Sequence, residues 1–296
     1  MQNLNPNKIP IYAALTGAGV DVPGFDLGHG VVLSRVEAYL PSPRLTELLP
    51  RVPEVNRSAL RVLAARGPGL DLSAQIFVPA EFRPHRWLDR VNTVWWLATL
   101  LRLRSTPEVQ VPLLSSEPFS AEPQTGKGVG FWPVEIEPRR LPFDPEAPRR
   151  ISGDDLEWIA AHWLHSGRLV VRNVPFNDAV KALDRAYSTL DVPASLAALW
   201  EGLEALFGED GGPAPGVPES VASFLTREGP SRNALRAGIS RLYEARSAAE
   251  GGHEPPEGFL AETYAIARRV FLKIVEEDRV PTREEIETGR FGAGLN

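Results

Sequence analysis

The sequence contains no cysteine, and this absence removes a whole class of chemistry. Disulfide bonds, thiol catalysis, and zinc or iron–sulfur centres with cysteine ligands are all excluded. No run of residues approaches the roughly 20 apolar positions of a membrane span. The N-terminus also lacks the basic and then apolar regions of a signal peptide. Together these absences favour a cytoplasmic protein with no membrane partner.

Lysine is scarce, because the 32 basic residues include only four lysines, at positions 8, 127, 181 and 273. The other basic residues are arginines, whose planar guanidinium groups can make bidentate contacts with phosphate. A GC-rich genome would produce the same bias. The 38 acidic residues bring the formal net charge to −6, so no global field attracts nucleic acid. Any contact with RNA has to come from a local patch.

What the chain does contain is an ordinary globular composition, with 43% hydrophobic and 24% charged residues over 296 positions. This length corresponds to about two domains. The first half has many prolines and short apolar runs, which predict a β-rich N-terminal domain over residues 1–140. Strands are predicted at 31–36, 72–78, 109–114 and 129–136. One long helix is predicted over 84–104, with Trp87, Trp95 and Trp96 as core anchors. The glycines at 125–130 lack phosphate-loop spacing and predict a flexible loop.

A proline-rich linker at 141–150 precedes a helical domain over residues 150–296. Ser152 and Asp155 have the spacing of a capping box that opens its first helix. Further helices are predicted from Asn177 or Asp178 to 190, over 193–208, over 218–227, from Ser231 through Arg246, and from 259 to 274. The predicted fold class is therefore α+β, with a β-rich domain followed by a four- or five-helix antiparallel bundle.

Arg246 is placed where a hydrophobic residue would be expected. In a helix Arg246 points about 20° away from the direction of Leu235. Because Leu235 belongs to an apolar stripe, the charge of Arg246 points inward. His253 would continue this stripe, but the glycines at 251 and 252 predict that the helix ends first. Even in a continuous helix the two Cα atoms would be ~10.5 Å apart along the axis. A single chain is not expected to bring the two side chains together.

These residues resemble the HEPN superfamily, specifically its ApeA-like branch. The resemblance covers roughly residues 150–280 and rests on the Leu-Trp-Glu-Gly-Leu-Glu-Ala-Leu-Phe-Gly-Glu segment at 199–209. It continues in the Arg-Leu-Tyr-Glu-Ala-Arg-Ser segment at 241–247 and in the terminal helix. The HEPN signature is an arginine, four to six residues and a histidine, with a polar residue commonly just after the arginine. Arg246, Ser247 and His253 match it.

The resemblance implies a helical bundle that dimerises and a metal-independent endoribonuclease that acts as a defence or toxin effector. Arg246 and His253 would be catalytic, and Ser247 and Tyr243 would bind the substrate. RNA would be the substrate, a homodimer would complete the site, and an antitoxin or a sensor partner would control it. Metal-free cleavage needs proton transfer and stabilisation of phosphate charge, which histidine and arginine supply. We expect neither a metal nor another cofactor.

The rival hypothesis is a catalytically inactive HEPN-like module that binds a protein, nucleotide or RNA and acts through assembly. Many ApeA-like members have a shorter spacing, and in such an alignment Gly251 takes the place of the histidine. Arg246 could then be a structural residue that pairs with Glu201 or Glu204.

A third hypothesis, ranked lower, is a metal-dependent hydrolase that uses His162 and His165 with Asp154 or Asp155. The two histidines have the i, i+3 spacing of metal ligands. No third ligand stands at an obvious position, so a solvated polar face explains them more simply.

Overall fold

A computed structural model describes residues 5–65, 67–82, 88–119, 129–136, 141, 143–208, 216–250, 254–288 and 291, with the backbone alone at 247–250 and 287. The chain forms two compact units. One comprises Met1–Arg139 and Ala147–Trp163, and the other comprises Arg140–Glu146 and Leu164–Asn296. The division therefore does not follow the predicted domain ranges 1–140 and 150–296. The mixture of helices and an antiparallel sheet confirms the α+β class.

The first unit is built on a six-stranded antiparallel sheet with the order β3-β4-β5-β1-β6-β7. Its strands are β1 (Ile11–Leu15), β3 (Gly24–Gly28), β4 (Val31–Pro41), β5 (Gly69–Val78), β6 (Leu113–Ser115) and β7 (Phe131–Pro133). The predicted alternation in β5 is confirmed, since Leu72, Ala74, Ile76 and Val78 are all buried. The central strand β1 escaped prediction because it is buried along nearly its whole length and shows no alternation.

Among the described residues up to 119, the chain forms three α-helices where one was predicted: α1 (Ser42–Glu47), α2 (Arg57–Ala65) and α3 (Arg90–Arg104). Helix α3 starts later than predicted because the Asp89 side chain caps it, accepting a hydrogen bond of 2.8 Å from the Asn92 N–H. Trp96 is fully buried and its Nε1 donates to the Trp163 carbonyl at 2.9 Å. Trp87 and the loop at 120–128 lie outside the described residues.

A second, two-stranded sheet joins distant parts of the chain. Strand β2 (Gly19–Val20) pairs in parallel with β8 (Arg150–Ile151), and the Arg150 side chain donates to Asp21. The next helix, α4 (Gly153–Arg172), begins with the predicted capping box, in which the Asp155 N–H donates to Ser152 Oγ at 3.2 Å. Residues 147–163 thereby complete the first unit.

The second unit is helical. Its elements after α4 are α5 (Val174–Ser188), α6 (Val192–Phe207), α7 (Val217–Leu225), α8 (Pro230–Glu250), α9 (Phe259–Glu277) and α10 (Arg283–Thr288). The central helix α6 packs against α5, α7, α8 and α9. Gly202 allows α5 to approach closely, because a Cβ at this position would lie 3.2 Å from the Ala179 carbonyl oxygen.

Of two predicted helix starts, one was wrong and one was correct. The cap of α5 is Asn173, whose Oδ1 accepts from the Phe176 N–H at 2.9 Å, so the predicted caps Asn177 and Asp178 were wrong. Pro175 lies in the first turn of α5, where the missing N–H of a proline is not needed. Helix α6 starts as predicted, with Pro193 in its first turn. Within the described residues, no helix is long and apolar enough to cross a membrane.

Candidate functional site

The inward-pointing arginine of helix α8 forms an ion pair with helix α6. Nη1 of Arg246 donates to Oε1 of Glu204, and each side chain is only 18% exposed. Of the two carboxylates that the sequence offered as partners, Glu204 is the correct one. Glu201 instead pairs with Arg185 of α5 at 2.5 Å, on the exposed surface.

Tyr243 belongs to the same cluster, which we call the Arg246 cluster and which consists of Trp200, Glu204, Tyr243 and Arg246. The Tyr243 hydroxyl donates to the same Oε1 of Glu204 at 2.9 Å. Its ring packs edge-on against Trp200 with a centroid distance of 5.0 Å, and the Arg246 guanidinium lies 5.7 Å from the Tyr243 ring centroid. Tyr243, predicted to bind substrate, therefore also helps to hold the arginine in place.

Burial strengthens the electrostatics of this cluster. Trp200 is fully buried and Glu204 is mostly buried, so the carboxylate–guanidinium attraction is screened less than it would be in open solvent. In the described part of the chain, the Trp200 Nε1 donor has no hydrogen-bond acceptor. A buried N–H without an acceptor lowers the stability of the fold, and the positions of the neighbouring polar groups affect how large this cost is.

The structure describes the side chain of only one member of the predicted catalytic pair. Helix α8 is described as far as Glu250, and His253 lies outside the described residues. Ser247 lies on the last turns of α8, where only the backbone is described. Of the four site residues expected from the sequence, the structure thus places the side chains of Arg246 and Tyr243, and the pairing of Arg246 with His253 stays a prediction.

The other arginines of α8 also face carboxylates. Arg232 and Arg236 lie 3.6 and 3.3 Å from the Glu219 carboxylate of α7, and Arg241 lies 2.5 Å from Glu262 of α9. With Arg246, each arginine of this helix is matched by an acidic side chain from a neighbouring helix. These pairs tie α8 to the rest of the helical unit and reduce its net positive charge.

The helical unit also contains a groove that the sequence did not reveal. It has a volume of about 940 Å³ and lies between the α5–α6 junction, at residues 190–193, and the segment 254–258 that precedes α9. Pro145 and the first turn of α9 complete its lining. The sequence signals were weak, since the Pro255-Pro256 pair and the glycine at 258 indicate only a loop.

A buried pair of tyrosines lies between α5 and α9. The hydroxyl groups of Tyr187 and Tyr264 are 2.9 Å apart, and Phe143 packs edge-on against both rings. Burial, followed by the neighbouring Tyr187, raises the pKa of Tyr264 well above its ordinary value of 10.0. The raised pKa keeps the Tyr264 phenol neutral near neutral pH, and the hydrogen bond and ring contacts make this pair a structural element of the core.

The histidines considered as metal ligands have other contacts. The ring of His162 stacks on Trp158 with a centroid distance of 4.6 Å, and its Nδ1 lies 2.7 Å from the Trp158 carbonyl oxygen. His165 is exposed. Across the described ranges, no three histidine or acidic side chains are grouped so that they could hold a metal ion.

Comparison with known proteins adds no assignment to this geometry. No family model, curated protein or solved structure matches the chain. The function has to be argued from the residues and their contacts.

Proposed function

We propose that this protein is a metal-independent endoribonuclease whose helical unit uses Arg246 and His253. The observation that carries the proposal is the guanidinium of Arg246, which is directed inward, anchored by Glu204 and still 18% exposed. An arginine held in this way can stabilise charge on a phosphate without first losing conformational freedom.

In the proposed reaction the 2′-hydroxyl of RNA attacks the adjacent phosphate and displaces the 5′-oxygen of the next nucleotide. His253 accepts the proton of the 2′-hydroxyl and returns it to the leaving 5′-oxygen, so a 2′,3′-cyclic phosphate and a 5′-hydroxyl form and the histidine ends as it began. Arg246 stabilises the charge that develops on the non-bridging oxygens. A guanidinium carries five N–H donors, so one arginine can hold a carboxylate and a phosphate oxygen at the same time.

The proposed active form is a homodimer through the helical unit, in which Arg246 of one subunit meets His253 of the other. Such an arrangement removes the need for α8 to bend back within one chain. The β-rich unit would then sense a trigger or bind an antitoxin-like partner, and the protein would act in the cytoplasm. Ser247 and Tyr243 would contact the substrate beside the arginine.

The test is cleavage of single-stranded RNA in EDTA. His253→Ala should slow cleavage by about 10²- to 10⁴-fold, the usual contribution of a general acid or base. The exposed His165 supplies the matched control, and His165→Ala should cut at the wild-type rate. Equal cutting by the wild type and by His253→Ala contradicts the proposal.

A mixing experiment tests the shared site. Arg246→Ala and His253→Ala subunits are unfolded together, refolded and assayed. If each site takes one residue from each subunit, mixed dimers make up half of the population and hold one intact site each, so about one quarter of wild-type activity returns. No recovery places both residues in one subunit or removes them from the site.

The second candidate is a non-catalytic module that binds a partner through assembly. The observation that favours it is the pairing of Arg246 with Glu204, which offsets the positive charge that a phosphate would need. If the purified protein leaves RNA intact in EDTA and Glu204→Gln does not create RNA binding, the arginine is structural and this second function applies.

A further inference from the structure

The groove of the helical unit has walls with restricted conformations. Of the twelve described residues that line it, four are prolines: Pro145, Pro193, Pro255 and Pro256. Each proline fixes its own φ angle, so these walls lose little conformational freedom when a ligand enters. Gly258 makes the turn into α9 with a φ of 84°, a conformation that glycine adopts without strain. The groove is therefore a preformed site.

The hydrogen-bonding chemistry of the groove selects a ligand rich in donors. A proline has no backbone N–H, so none of the four prolines can donate a backbone hydrogen bond to a ligand. The polar side chains of the lining are Asp191, Glu254 and Glu257, and all of them accept hydrogen bonds when ionised. Among the described residues that line the groove, none is a lysine, arginine or histidine. Guanidinium and ammonium groups fit this surface best.

The charge of the groove is largely uncompensated. Glu254 and Glu257 are exposed and form no ion pair or side-chain hydrogen bond with the described part of the chain. Asp191 uses one carboxylate oxygen to cap α6, accepting from the Ala194 N–H at 2.9 Å. The negative potential disfavours phosphate, so a nucleic acid is a poor occupant.

The groove also provides apolar contacts and backbone donors. Leu190 lines the groove and is 46% exposed, so its side chain is available for an apolar contact. Leu260 and Ala261 lie in the first turn of α9, whose cap residue makes no side-chain hydrogen bond. The Phe259 N–H donates to the Pro256 carbonyl at 3.2 Å, and the N–H groups of Leu260 and Ala261 belong to the first turn, which has no acceptor within its own helix. A peptide supplies carbonyl oxygens, apolar side chains and cationic groups together.

We infer that this groove binds a cationic peptide segment, with arginine or lysine side chains directed to Glu254 and Glu257 and an aliphatic side chain against Leu190. The segment belongs to a partner protein with a basic, partly apolar tail. The binding itself does not require the proposed ribonuclease activity.

The test is fluorescence anisotropy with full-length protein and a labelled octapeptide of alternating arginine and leucine. Glutamine–leucine and glutamate–leucine octapeptides of equal length serve as charge controls. The arginine peptide should bind with a salt-dependent affinity, the glutamine peptide more weakly, and the glutamate peptide not at all. Equal binding of the arginine and glutamate peptides overturns the inference.

Variants locate the binding. Glu254→Gln combined with Glu257→Gln should weaken the arginine peptide roughly 2- to 25-fold, since each exposed ion pair contributes about 1.4- to 5-fold in affinity. The matched control is Glu228→Gln with Glu284→Gln, which makes the same change in net charge at exposed glutamates away from the groove. Leu190→Asp should weaken the glutamine–leucine peptide. If both double variants bind equally, the peptide lies elsewhere and the inference fails.

Discussion

Replacing Glu204 by alanine should destabilise the helical unit more than any other single loss of a carboxylate on α6. The change leaves the Arg246 guanidinium and the Tyr243 hydroxyl without the oxygen to which both donate. Removing one partner of a fully buried ion pair costs about 3–5 kcal/mol, and an exposed pair contributes ~0.2–1 kcal/mol. With both side chains at 18% exposure, we expect a loss of about 2–4 kcal/mol.

The measurement is hydrogen exchange of the α6 and α8 amides, because local opening free energies do not require that two units unfold in one step. Glu201→Ala is the matched control. It removes a carboxylate one turn earlier on the same helix, where the pair with Arg185 is 51% and 62% exposed. This control should cost less than about 1 kcal/mol.

A double-mutant cycle isolates the ion pair itself. Arg246→Met with Glu204→Ala should give a coupling free energy of about 1–2 kcal/mol, and the double variant should be more stable than the sum of the single losses predicts. A coupling below ~0.5 kcal/mol, or equal losses at Glu201 and Glu204, refutes the argument that burial makes this pair strong.

Three further predictions concern two glycines, the ionisation of Tyr264 and the packing of Phe143. Gly202→Val should destabilise α5 against α6 by about 1–3 kcal/mol, whereas Gly238→Ala, where a Cβ meets nothing within 4 Å, should stabilise α8 by up to ~1 kcal/mol in urea unfolding. Wild-type stability should fall as pH rises above 10.0, because Tyr264 then ionises in the unfolded chain but stays neutral in the folded protein. In urea titrations from about pH 8 to 11, Tyr264→Phe should make this fall less steep. The exposed Tyr39 is the control, and Tyr39→Phe should leave the fall unchanged. Phe143→Ala should lower the opening free energy of the α9 amides by about 3 kcal/mol, so that these amides exchange faster. Unchanged exchange would contradict the role of Phe143 in holding α9.

Periodicity predicted the amphipathic elements well. Helices α6, α8 and α9 and strand β5 each place apolar residues at regular intervals, because one face is buried and the other is not. The elements that escaped prediction lack this contrast. Strand β1 is almost entirely apolar, and α1 is a six-residue helix preceded by proline.

The candidate site was predicted in part, and for a physical reason. The direction of Arg246 follows from its position in the helical repeat, so an acidic partner on α6 could be expected before the structure was known. The groove could not be predicted, because residues 190–193 and 254–258 meet only through the packing of helices. Neither segment has a periodic pattern that points to the other.

During synthesis, strand β2 cannot pair with β8 until residues 150–151 have left the ribosome. The hydrogen bond from Trp96 Nε1 to the Trp163 carbonyl forms later still, because Trp163 is synthesised after β8. At about 5–20 residues per second, the stretch from residue 140 to residue 163 takes roughly 1–5 s. A nascent or truncated chain that stops at residue 140 carries the complete six-stranded sheet without its closing segment. Such a fragment should be a target for chaperones and proteases, and an expression plasmid for the first unit should extend through Trp163.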